Sequence, residues 1–224
     1  MFRTDNDIQK DVAAELNWEP GLREDDIAVA VRDGVVTLAG FVDSWADKYR
    51  AERVASQVKG VKGIANDLEV RLPSSSERPD PEIARAAVDA LKWDIWVPED
   101  AITVKVRNGW VTLEGATDFH FEREAAERAV RNLTGVKGVT NLITVQKRPA
   151  AADVRQKIRD ALERGAEFDA DRITVEVEGN KVILRGTVRS YVEKRDAERA
   201  ALRAPGVVEV KNEITVDPAI PAPV

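Results

Sequence analysis

Cysteine is absent from the 224 residues, which excludes disulfide scaffolds, thiolate metal sites, iron–sulfur clusters and cysteine nucleophiles. Histidine occurs once, at position 120, so no site can use two imidazoles. Long apolar runs are missing, and no stretch approaches the roughly 20 residues that span a bilayer. The opening Met1-Phe2-Arg3-Thr4-Asp5-Asn6-Asp7 lacks the apolar centre of a secretory signal. The chain as written is therefore expected in the cytoplasm, and in the periplasm if an export signal has been trimmed from it. An excess of basic residues is also lacking: 34 Lys and Arg face 40 Asp and Glu, for a formal net charge of −6. With no basic stripe or stacking platform, nucleic-acid binding is disfavoured.

What is present is a repeat. Gly34-Val35-Val36-Thr37-Leu38-Ala39-Gly40 returns as Gly109-Trp110-Val111-Thr112-Leu113-Glu114-Gly115 and, more loosely, as Asn180-Lys181-Val182-Ile183-Leu184-Arg185-Gly186. Ile8, Ile83 and Val154 correspond near the start of each unit, and Asn66, Asn141 and Asn212 near its end. Three domains follow, over residues 1–72, 80–147 and 151–217, with a disordered tail at 218–224. The Pro- and Ser-rich stretch Leu72–Pro81 and the segment Lys147–Ala152 are expected to carry no regular structure.

Within a unit the hydrophobic period changes along the chain. Ile8/Val12/Leu16, Ile83/Ala87/Leu91 and Val154/Ile158/Leu162 recur every four residues and predict a first helix. Ile27/Val29/Val31, Ile102/Val104/Val106 and Ile173/Val175/Val177 alternate and predict a strand. Asp33-Gly34, Asn108-Gly109 and Gly179-Asn180 suit type I′ hairpins into a second strand. Gly40, Gly115 and Gly186 on that strand are expected to let a helix approach closely. A second helix starting near Ser44 and Ser190 buries small residues, and a last strand carries the three asparagines. The fold class is α+β: three tandem αββαβ domains, each with two helices on one face of a three-stranded mixed sheet.

Strand, Asp/Asn-Gly, Val-Thr-Leu-x-Gly, a helix with Ala-Glu-Arg, then Gly-Val-x-x-Val-x-Asn-x-Leu/Ile-x-Val resembles the BON domain (bacterial OsmY and nodulation). Ala51-Glu52-Arg53, Ala126-Glu127-Arg128 and Ala197-Glu198-Arg199 carry the helical part of the match. Gly60-Val61, Gly135-Val136 and Gly206-Val207 carry the turn that follows. The third unit departs by reversing Asn-Gly to Gly-Asn and by placing Ile183 where Thr37 and Thr112 stand. The resemblance implies a non-catalytic module linked to phospholipid binding, envelope maintenance and osmotic or general stress, with no catalytic residues.

The asparagines are assigned to satisfying backbone groups, since a buried amide without partners is costly. His120, with Trp45 and Tyr191 at equivalent positions, is assigned to an aromatic site rather than to catalysis. Asp25, Asp100 and Asp171, ahead of each first strand, are assigned to loop capping, so no metal and no cofactor is expected. Trp18 and Trp93 are assigned to the core. Trp96, Trp110, Lys105, Arg107 and Phe121 are the candidate lipid or partner contacts, with Lys92 able to join the same basic patch. The apolar outer sheet face of the first unit, with Ala28, Ala30, Ala39 and Phe41, is the candidate interdomain or dimer contact, through which self-association could occur. Function then divides between a stress-associated binder of anionic phospholipid or envelope components and a soluble protein-interaction scaffold. Small-cation sensing is a third reading that no motif supports.

Overall fold

The computed structural model describes residues 3–22, 26–146, 153–164 and 172–220. The first unit runs α1 (Asp5–Trp18), β1 (Ile27–Arg32), β2 (Val35–Val42), α2 (Trp45–Gln57) and β3 (Gly63–Val70). The second runs α3 (Asp80–Trp93), β4 (Ile102–Arg107), β5 (Trp110–Thr117), α4 (His120–Arg131) and β6 (Gly138–Val145). The third runs α5 (Val154–Arg164), β7 (Ile173–Glu178), β8 (Lys181–Val188), α6 (Tyr191–Leu202) and β9 (Glu209–Val216). In each sheet the central strand is the second. It pairs antiparallel with the first and parallel with the third. The α+β reading with mixed sheets therefore holds in all three units.

The first-helix stripes supply the buried positions of α1, α3 and α5. They face Val36 and Leu38, Val111 and Leu113, and Val182 and Leu184 from the central strands, each of which is fully buried. Thr4 closes a capping box on Asp7, and Ser44 and Ser190 cap α2 and α6 through the N–H three residues on.

Several local expectations are corrected. A Cβ on Gly40, Gly115 or Gly186 would meet the carbonyl oxygen of Asp26, Ala101 or Arg172 at 2.0, 2.0 and 1.9 Å. These glycines, at φ of +122, +144 and +138°, accommodate the backbone entering the neighbouring strand, not a helix. The hairpins also differ. Asp33 and Gly34, and Asn108 and Gly109, have positive φ throughout, as type I′ requires. In the third unit only Gly179 does, so reversing the pair moved the turn towards the type II′ pattern. The first linker is partly ordered: Ser74–Ser76 forms a 3-10 turn, and Asp80-Pro81 already belongs to α3, where an early proline loses no helical bond. At the other end, Ala219 and Ile220 donate back to Asp217, so the tail opens with a turn. The second linker, and the tail from Pro221 on, lie outside the described residues.

The units close head to tail. Trp45, first residue of α2, packs on the core of the second unit and meets the Trp110 ring edge-on at 5.7 Å. His120, first residue of α4, places Nε2 2.9 Å from the Val208 carbonyl in the third unit. Tyr191, first residue of α6, packs on the core of the first. The same helix position is used three times in one rotational sense, which makes a ring closed by repeated heterologous contacts.

Candidate aromatic surface and its surroundings

Trp18 ends α1 with 85% of its surface exposed, and Trp93 ends α3 with 86% exposed. Their assignment to the core is overturned. Each apolar stripe stops two residues earlier, at Leu16 and Leu91, and two steps along a helix rotate a side chain about 200° away. In the second unit the exposure continues. Asp94 accepts from the Trp96 N–H through Oδ1 and from the Val97 N–H through its carbonyl, each at 3.0 Å. That turn sends Val97 back onto the core and leaves Ile95 87% exposed. Trp96, 57% exposed, stands edge-on against Phe121 at 5.7 Å, and Phe121 stacks on Phe119 at 5.5 Å. Ile95 was missed in the sequence because it belongs to no period; its position between two tryptophans was the available signal.

The five candidate contacts fall into two places. Trp96 and Phe121 belong to the helical side of the second unit. Lys105 and Arg107 lie on the exposed positions of β4, opposite in register to Thr112 and Trp110, on the outer face of the sheet. Lys105 Nζ is engaged by Glu114 Oε2 at 2.5 Å. Trp110 donates through Nε1 to Thr140 Oγ1 at 2.7 Å and receives Trp45 of the first unit against its ring. In sequence the aromatic loop is flanked by Lys92 and followed by Glu99 and Asp100, with Asp94 inside it, so the loop segment itself carries no cationic excess.

On the first unit, Ala28 and Ala30 are exposed and Ala39 is half-buried. Phe41 is half-buried beneath the Arg71 guanidinium, 3.0 Å above its ring. The contacts that close the ring through this unit use α2 and the Tyr191 seat instead.

The three asparagines repeat one geometry. Asn66 Nδ2 donates to the Lys48 carbonyl and to Glu52 Oε2, both at 3.1 Å, and its Oδ1 accepts from the Leu68 N–H at 3.3 Å. Asn141 does the same with Arg123, Glu127 and Ile143, and Asn212 with Lys194, Glu198 and Ile214. Each ties the second helix to the last strand, and the glutamate of Ala-Glu-Arg completes the tie. Asp5 and Asp80 hold the hairpin turns, Asp5 accepting from the Asp33 and Gly34 N–H groups and Asp80 from those of Asn108 and Gly109. Neither aspartate belongs to a motif that the sequence displays. Burial, the largest influence, holds the His120 imidazole below its ordinary value, with the Val208 carbonyl acting in the opposite direction. Asp100 lies in a 3-10 turn ahead of β4, while Asp25 and Asp171 fall outside the described residues. Among the described residues no three His, Asp or Glu side chains group to hold a metal, and no helix is long and apolar enough to cross a membrane.

The BON domain family model matches three times, over residues 4–71, 79–147 and 150–218. The chain belongs to the BON domain family. It is 31% identical to osmotically-inducible protein Y of Escherichia coli (strain K12) over 144 residues, which cover 62% of this chain and 72% of that protein. Among solved structures, CdsD, a structural protein of the type III secretion system of Chlamydia trachomatis, aligns at 14% identity with a TM-score of 0.27, covering 95% of this chain and 93% of that one. The PrgH periplasmic domain aligns at 13% and 0.22, covering 85% and 95%. Neither structural likeness adds to the family match.

Proposed function

We propose that this BON-domain protein is a non-catalytic, stress-associated binding module that engages a phospholipid interface through the loop after α3. The observation that carries the reading is the run Trp93, Ile95 and Trp96, exposed 86, 87 and 57% beside Phe121. Tryptophan favours the boundary between headgroups and acyl chains, where its ring is apolar and its N–H is wetted. A bare side chain of this kind gains roughly 1.5–3 kcal/mol on burial. The stress association rests on the family and on the osmotically inducible relative. Because the loop carries Asp94, Glu99 and Asp100 against Lys92, insertion rather than charge attraction supplies the affinity.

Flotation with phosphatidylcholine and phosphatidylglycerol vesicles tests this. Wild-type protein should float with both, with little loss at high salt. The Trp93→Ala/Trp96→Ala variant should remain in the dense fraction. Wild-type protein that fails to float with either vesicle contradicts the reading and favours the scaffold role, whereas flotation that survives the double substitution contradicts the assignment of the contact to this loop.

A further inference from the structure

Where α2, α4 and α6 approach one another, the ring leaves a solvent-open cavity of about 390 Å³. That volume falls within the roughly 300–1,000 Å³ common to small-ligand sites. Its walls carry four guanidinium groups, Arg128 and Arg131 from α4, Arg199 from α6 and Arg203 just past its end, against the two carboxylates Glu124 and Glu127. Glu127 already accepts from Asn141 at 3.2 Å, and Arg199 lies 3.6 Å from Asp196. Among the described residues, no carboxylate lies within ion-pair distance of Arg128, Arg131 or Arg203. The Arg131 guanidinium instead stands over the Tyr49 ring of the first unit, its Cζ 3.9 Å from the ring centre, a contact that does not neutralise its charge.

Like charges gathered in a partly enclosed space repel one another, and an added anion relieves that repulsion. Guanidinium forks match the paired oxygens of phosphate in length and plane. We infer that this central cavity is a binding site for an oxyanion of the phosphate class, supplied as a free phosphate or as the phosphate of a headgroup. The site needs all three units. Tyr49, the α4 arginines and the α6 arginines come from different domains, so a bound anion also fastens the ring. It is independent of the proposed lipid contact, although Phe121 lines the cavity and touches Trp96 as well.

Calorimetric titration of the full chain with inorganic phosphate and with glycerol 3-phosphate tests the site. Both should bind the wild type and the Trp93→Ala/Trp96→Ala variant equally, which separates this site from the lipid contact. A preference for glycerol 3-phosphate identifies the headgroup source, and equal or better binding of inorganic phosphate identifies the free ion. Arg128 and Arg203 are exposed, so Arg128→Gln/Arg203→Gln should fold normally and weaken binding by about tenfold for each lost charge-assisted contact. Glu124→Gln removes an opposing charge and should tighten binding. Heat signals absent for both anions in the wild type, or affinities unchanged in both variants, overturn the inference.

Discussion

Asn66, Asn141 and Asn212 each join three partners on two elements, so replacing one removes a second bond from a helix carbonyl and leaves a strand N–H without its side-chain acceptor. Asn141→Ala should lower stability by about 2–3 kcal/mol, the usual cost of abandoning part-buried hydrogen-bonding groups, as read from the urea midpoint. A midpoint within error of the wild type would show that the amide is dispensable. Gly115→Ala is a harsher change, because the added Cβ would stand 2.0 Å from the Ala101 carbonyl oxygen at a φ that side chains avoid. A loss on the order of 3 kcal/mol or failure to accumulate as folded protein is expected. The glycine was legible as a required residue, but what it accommodates was not. Sequence alternation placed it on the inner face, and only the path of the chain into β4 shows that the neighbour is a backbone carbonyl.

Helix-first residues Trp45, His120 and Tyr191 act as the ring's three fasteners, and the middle one is titratable. Its imidazole faces the Val208 carbonyl from the third unit, Arg123 and Glu124 on its own helix, and Arg199 and Arg203 across the cavity. Burial lowers its pKa from 6.5, so on acidification the unfolded chain takes up a proton before the folded one does. The stability this neutral ring contributes is present above pH 6.5 and is lost as pH falls through that value towards the folded pKa. Urea midpoints measured between pH 7.5 and 5.5 should therefore decline, and His120→Phe should flatten the decline. An equal decline in the variant would assign the pH dependence to other groups. Trp45→Ala removes an edge-to-face contact worth about 0.5–1.5 kcal/mol beyond its buried area. Small-angle scattering should then report a larger radius of gyration, and an unchanged radius would mean that the other two contacts suffice. Elements themselves were largely readable, since periods of four and two persist through every unit. The fasteners were visible as a repeated aromatic position, but nothing in a linear pattern says that the position reaches into the next domain.

At the scale of the whole molecule, the ring decides which surfaces face outward. Trp110 packs with Trp45 between units, and Lys105 with its Glu114 partner sits across the sheet from Trp96. The aromatic loop after α3 is left projecting. The sequence indicated that the second unit was rich in aromatic residues but could not sort them, because exposure at Trp18 and Trp93 depends on where each helix stripe ends. The most direct measurement is tryptophan emission from a Trp18→Phe/Trp45→Phe/Trp110→Phe protein, which retains only Trp93 and Trp96, mixed with vesicles containing brominated phospholipid. Insertion predicts a blue shift together with strong quenching by bromines placed high on the acyl chains. Emission that neither shifts nor quenches, in protein whose circular dichroism matches the wild type, would contradict the account.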